Sequence, residues 1–179
     1  VFESAFINDP VTCELYEIND AGITLGAAFG DGFGVDLSAT VYRGETLVSK
    51  VAAAGFGWSR NNNAGFTATN DVNAFILRAT IDPIEGLSLS AFFNSEPGDT
   101  DRNTTAGGAV HYEIAGLSFD GEYIGAVQRE KHVADNKEYT ESAWVASLGY
   151  QVSDPLQIAV RYESFDADKS ADGNLERRY

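Results

Sequence analysis

Charged side chains recur at the polar positions of alternating segments: Glu14, Asp36, Arg78, Glu113, Asp120, Glu122, Arg161 and Glu163. Carboxylates spread in this way, with no nucleophile or metal-ligand set beside them, do electrostatic work: they attract cations and repel anions, as carboxylate rings do in pores. For Arg78 and Arg161 the simpler reading is pairing with neighbouring carboxylates across strands. The two histidines, His111 and His132, stand apart, so no Ser-His-Asp constellation or histidine metal site is visible, and catalysis is not expected. Cys13 is the single cysteine, which rules out a disulfide framework and a thiolate cluster and leaves a small apolar residue. Asp166, Asp168, Ser170 and Asp172 place oxygen ligands at alternate positions, as the start of an EF-hand loop does. Ala171 stands where that loop needs glycine and Arg177 where it needs a bidentate glutamate, so an ordinary acidic loop is the better reading and bound Ca2+ the weaker one.

The elements that carry these groups read as long β-strands. From Glu141 to Asp166, Trp144, Ala146, Leu148, Tyr150 and Val152 share one face, and Leu156, Ile158, Val160 and Tyr162 share one after the Ser153-Asp154-Pro155 link. Alternation of period two on both sides of a short link predicts a hairpin. Each arm runs for about 11 residues, against about 5–6 in an ordinary globular strand. At roughly 3.3 Å per residue and about 45° of tilt, such an arm crosses roughly 25 Å, the height of the apolar band of an outer-membrane barrel. The same alternation predicts strands over 11–18, 22–29, 34–43, 72–82, 87–95, 105–115 and 116–127. Segment 44–71 is irregular. Its apolar piece 48–58 reads as a strand or as a loop folded into a lumen, and the loop is preferred because a strand there breaks the succession of short and long connections. That succession, short at 82–86, 115–116 and 153–155 and longer at 96–104, 128–140 and 167–174, is the turn-and-loop pattern of a bacterial barrel. All four prolines lie in turns, in loops or where a strand begins.

Composition agrees. The net charge of −15, from 27 acidic and 12 basic residues, argues against nucleic acid as a partner. No run of about 18 apolar residues predicts a transmembrane helix, but barrel strands hide half their residues from such a search. Trp144, Tyr150, Tyr162, Tyr123, Phe119 and Phe29 suit a lipid face and its interfaces. A soluble β-sandwich would use the same residues as its core, and strand length argues against it.

Three stretches carry a resemblance: VTCELYEINDAGITLGAAF (11–29), GLSLSAFFNSEPGD (86–99) and SAWVASLGYQVSDPLQIAVRYESFD (142–166). Together they resemble the siderophore-porin family of Gram-negative outer membranes, the LbtU type, with departures at Cys13, Tyr16 and 48–58. The resemblance implies an outer-membrane barrel with a transport role, and brings no catalytic motif.

The expectation is therefore an all-β fold: residues 1–179 form part of one antiparallel transmembrane β-barrel, with 44–71 as a lumen-narrowing or extracellular loop. The chain has no methionine, nine predicted strands and a tenth starting near Leu175, which predicts a partial barrel because an odd count leaves edges open in lipid. The expected function is a porin of the outer membrane, passing small hydrophilic solutes or ions through an acidic lumen, with membrane lipids as its surroundings. Trimerisation is common among porins, so a homotrimer is consistent with the reading. The alternatives are a specific ferric-siderophore porin and a soluble or surface-attached β-sandwich of structural or adhesive role.

Overall fold

The computed structural model describes residues 22–30, 33–42, 72–97, 101–129, 131, 136–169, 172–173 and 175–178. They form one antiparallel sheet whose order is the order of the chain: β1 (Gly22–Phe29), β2 (Gly34–Tyr42), β3 (Ala74–Ile84), β4 (Leu87–Pro97), β5 (Arg102–Ile114), β6 (Leu117–Gln128), β7 (Ser142–Ser153), β8 (Leu156–Asp166) and the short β9 (Leu175–Arg178). Among the described residues β1 and β9 are the two outer strands, and the sheet does not close on itself. The all-β meander agrees with the expectation, and the 175–178 strand falls where a tenth was predicted. The predicted strand 11–18 and the 44–71 segment, with its undecided piece 48–58, lie outside the described residues.

Tight turns gather at one end of the sheet and longer connections at the other. Ala115 and Gly116 both have positive φ (50° and 79°), the backbone of a two-residue hairpin turn whose twist matches the flanking strands. The medium loop predicted at 96–104 is shorter than expected. Glu96 pairs with Asn103 and Pro97 with Arg102, so β4 and β5 both extend into it. Polar residues there suggested solvent. In the fold Glu96 Oε1 accepts from Tyr42 and Asn94, and Arg102 and Thr104 reach Ser95, which satisfies a strand as well as a loop does.

Register assigns every side chain to a face. One face carries Ile23, Leu25 and Phe29 of β1, Leu37 and Val41 of β2, Leu77 of β3, Phe93 of β4, Tyr123 of β6, Leu148 of β7 and Val160 of β8, all of them exposed. Leu25 is 75% and Val160 63% exposed, values that an apolar core residue does not show. From β1 to β8 this face has no charged residue below the rim, where Arg102 and Asp166 stand. A shallow apolar groove crosses it over β1–β4, where Ala27, Ala39, Ala79 and Ala91 lie between larger neighbours.

Along β7 the exposed face reads Trp144, Ala146, Leu148, Tyr150, with an aromatic near each end and aliphatic residues between. Tyr123 stands beside Trp144 at one level, and the Trp144 and Tyr162 rings lie 4.8 Å apart. Phe119 and Tyr150 mark the other level, towards the tight turns. The opposite face is the sheltered one. Tyr42, Asn94, Glu96, Asn103, Thr105, Ser147, Glu163 and Phe165 are buried, although most of them are polar. Apolar residues outside and polar ones inside reverse the arrangement of a water-soluble sheet.

Candidate functional site: the polar face

On the sheltered face the rungs of the sheet stack into layers. One layer in from Glu113, Ser118, Gly149 and Ala159, which lie nearest the tight turns, Ser88, His111, Asp120, Ser147 and Arg161 lie in register across β4–β8. One layer up come Ser90, Ala109, Glu122, Val145 and Glu163, and the same rung reaches Thr80 and Asp36 on β3 and β2. The next layer is apolar: Phe92, Gly107, Ile124, Ala143 and Phe165. Phe165 is 0% exposed, so this part of the wall is covered. The Phe92 ring lies across Gly107, where an added Cβ would meet Phe92 Cε1 and the Tyr123 carbonyl oxygen, each at 2.5 Å. Above it, Asn94, Thr105 and Glu96 return the wall to polar character.

Every charged residue expected from the sequence to line a lumen, among those described, stands on this one face. Asp36 (β2), Arg78 (β3), Glu113 (β5), Asp120 and Glu122 (β6), and Arg161 and Glu163 (β8) share it. Glu14 lies outside the described residues. Arg161 pairs with a carboxylate on its own strand: Nε is 2.7 Å from Glu163 Oε1, two residues on. Arg78 forms no ion pair with another described residue, because it faces Ser38 and Phe92 while Asp36 is one rung away opposite Thr80. His111 Nδ1 lies 2.7 Å from Asp120 Oδ1 on the facing strand, a pair that the sequence reading did not form. Asp120 Oδ2 is buried with no hydrogen-bond partner.

At the rim two further clusters emerge. The Tyr42 hydroxyl donates towards Asn94 Oδ1 at 2.8 Å and Glu96 Oε1 at 2.6 Å, tying the end of β2 to the end of β4. Arg129, 1% exposed, binds Glu141 through Nε and Nη2 at 3.0 and 2.7 Å, and also reaches the Thr104 and Gln128 carbonyls and Thr105 Oγ1. Because Thr105 belongs to the polar face, the guanidinium lies over the inner edge of the wall. Lys169 Nζ donates to the Ala126 carbonyl, and its backbone N–H to Thr140. The connection 129–141 is thus drawn in at its base.

The acidic stretch after β8 is tied down in the same way. Asp166 Oδ1 caps the Asp168 N–H at 3.0 Å, and Asp168 Oδ2 is 2.7 Å from Lys137 Nζ. A lysine on that carboxylate competes with any cation for it. Ser170 lies outside the described residues, Asp172 is exposed, and no grouping of metal-ligating side chains occurs among the described residues. Arg129 and Glu141 escaped the sequence reading because they flank a charged stretch that suggests solvent. The only signal was their position at its two ends. No family model, curated protein or solved structure matches this chain.

Proposed function

We propose that this chain forms much of the wall of an outer-membrane β-barrel whose polar interior lets small hydrophilic solutes and ions diffuse through, with cations preferred. The observation that carries the reading is the reversed distribution of polarity. A face free of charge below the rim, with aliphatic residues between aromatic levels, is exposed, and the polar face is sheltered. In water such an apolar surface is a liability, whereas in lipid it is required. Strands β3–β8, of 11 to 13 residues, have the length for the crossing. A β-sandwich would need a second sheet over the apolar face, and the described residues supply one sheet. In this reading the outer edges of β1 and β9 are paired by further strands, since unpaired backbone groups are costly in lipid. The acids on the sheltered face outnumber the arginines, which favours cations.

A narrower, substrate-specific barrel is the second reading. Its support is the apolar layer at Phe92, Ile124 and Phe165 together with the inward set of Arg129, both of which reduce open cross-section. Transport of ferric siderophores, implied by the family resemblance, belongs with this second reading. The test is conductance of the protein in a planar bilayer under a salt gradient. Stepwise ohmic currents with a cation-selective reversal potential are expected. Silence from correctly inserted protein would overturn free diffusion and move the narrow barrel ahead.

A further inference from the structure

We propose that Arg102 binds the phosphate of an anionic lipid headgroup at the outer rim of the wall, at the end of the sheet where the longer connections lie. The inference rests on the membrane part of the reading above and names the lipid class that this surface takes. Arg102 opens β5 opposite Pro97, on the same face as Ser95, Phe75 and Leu77, and so stands one rung beyond the apolar band. Its guanidinium is fixed there. Nε donates to Ser95 Oγ at 2.7 Å, Nη2 donates to the Asn73 and Ser95 carbonyls at 3.0 Å each, and the cation lies 5.9 Å from the centre of the Phe75 ring. Three of its five N–H donors are thereby used, and the two on Nη1 meet no other described residue. A latch between strand ends accounts for the first three donors and not for the last two.

The surroundings favour a lipid phosphate. Below Arg102 come Phe75 and Phe93, stacked with centroids 6.1 Å apart, and then exposed aliphatic residues, so the guanidinium stands at the boundary between an apolar surface and water. A headgroup phosphate at that level supplies both the negative charge and the acceptor oxygens that a fixed guanidinium takes. Asp101 is exposed beside it, and its Oδ1 accepts the Arg102 backbone N–H at 2.8 Å. A carboxylate so close limits the attraction to that of one arginine rather than of a basic patch. Elsewhere on this rim, Asp166 of β8 caps the Asp168 N–H, and Arg177 of β9 shares the outward face in register with Ser164. The opposite end of the sheet differs: the turns at 84–87, 114–117 and 153–156 carry Glu85 and Asp154 and no basic residue. The phosphate contact therefore belongs to one membrane surface.

The test is urea titration of the full chain folded in phosphatidylcholine vesicles and in vesicles of the same acyl length containing phosphatidylglycerol, at constant ionic strength. Wild type is compared with Arg102→Gln and with Lys131→Gln. The ratio of folding constants, anionic over zwitterionic, is expected to be roughly fivefold lower in Arg102→Gln than in wild type, the effect of one basic residue near an anionic surface. Lys131→Gln removes an exposed lysine and makes the same change in net charge, and should leave the ratio as in wild type. Stability lost with the Ser95 and Asn73 contacts appears in both lipids and cancels. If Arg102→Gln does not fold, Arg102→Lys takes its place, keeping the charge without the planar donor set, and its ratio should fall below that of wild type. A ratio unchanged in the Arg102 variants, or lowered as much by Lys131→Gln, overturns the inference and leaves the barrel intact. So does an equal gain from inorganic phosphate added to zwitterionic vesicles, which would make the ligand a free anion. A chain that folds into neither vesicle refutes the membrane reading, and this inference with it.

Discussion

Removing one partner of the Arg129–Glu141 pair should destabilise the protein severely, and removing both should not. The Arg129 side chain is 0% and the Glu141 side chain 4% exposed, so neither charge is solvated by water when the other is lost. In Glu141→Ala the guanidinium loses its contacts at 3.0, 3.3 and 2.7 Å but keeps the Thr104 and Gln128 carbonyls and Thr105 Oγ1. Three neutral acceptors soften the loss, which places it near the lower end of the roughly 3–5 kcal/mol typical for a widowed buried charge. Arg129→Met leaves the buried Glu141 carboxylate without the guanidinium and should cost a similar amount. The double variant Arg129→Met/Glu141→Leu removes both desolvation penalties and keeps volume, so it should lie within about 1–2 kcal/mol of wild type. Urea titration of folded protein in lipid vesicles, followed by tryptophan fluorescence, supplies the four stabilities of the cycle. A double variant whose loss equals the sum of the single losses would show that the two groups do not act as a pair and would refute this reasoning.

Val160→Lys places a charge on the exposed apolar face of β8. In lipid it should cost up to about 2–4 kcal/mol near the midplane, whereas an exposed valine of a soluble sheet would lose no more than about 0.5 kcal/mol; vesicle unfolding distinguishes the two. Tyr42→Phe removes the hydroxyl that serves Asn94 and Glu96, and the buried acceptors left behind should cost about 1–3 kcal/mol in the same assay. Gly107→Ala should lose about 1–3 kcal/mol through overpacking. Adding Phe92→Ala should recover only part of this, because the Tyr123 carbonyl oxygen remains 2.5 Å from the new methyl; full recovery would contradict the geometry.

Alternation made the framework readable. In β3 to β8 the apolar positions repeat at two, and the pairing of Leu77 with Phe93, Tyr123 with Trp144 and Leu148 with Val160 follows directly once hairpins are assumed. The same period put Asp36, Arg78, Glu113, Asp120, Glu122, Arg161 and Glu163 on one face. What periodicity cannot encode is the meeting of side chains between strands or between loop ends. His111 with Asp120 needed the register fixed by the Ala115–Gly116 turn. Arg129 with Glu141 needed the loop base to close, and charged residues near loops give no sign of whether water or protein will solvate them. Glu96 and Asn103 misled in the same way, as buried polar residues that resemble loop. Phe92 and Phe165 occupy the polar face within alternating strands, so their apolar layer is visible only after the rungs are aligned.

The meander order has an evolutionary side. Among the described residues each strand touches only the strands before and after it in the chain. Duplicating or deleting a hairpin therefore creates no interface that the sheet does not already contain, and the ladder is rejoined with the same alternation. Strand number, and with it the diameter of a closed ring, becomes a quantity that lineages can alter by gene-segment duplication without redesigning a core.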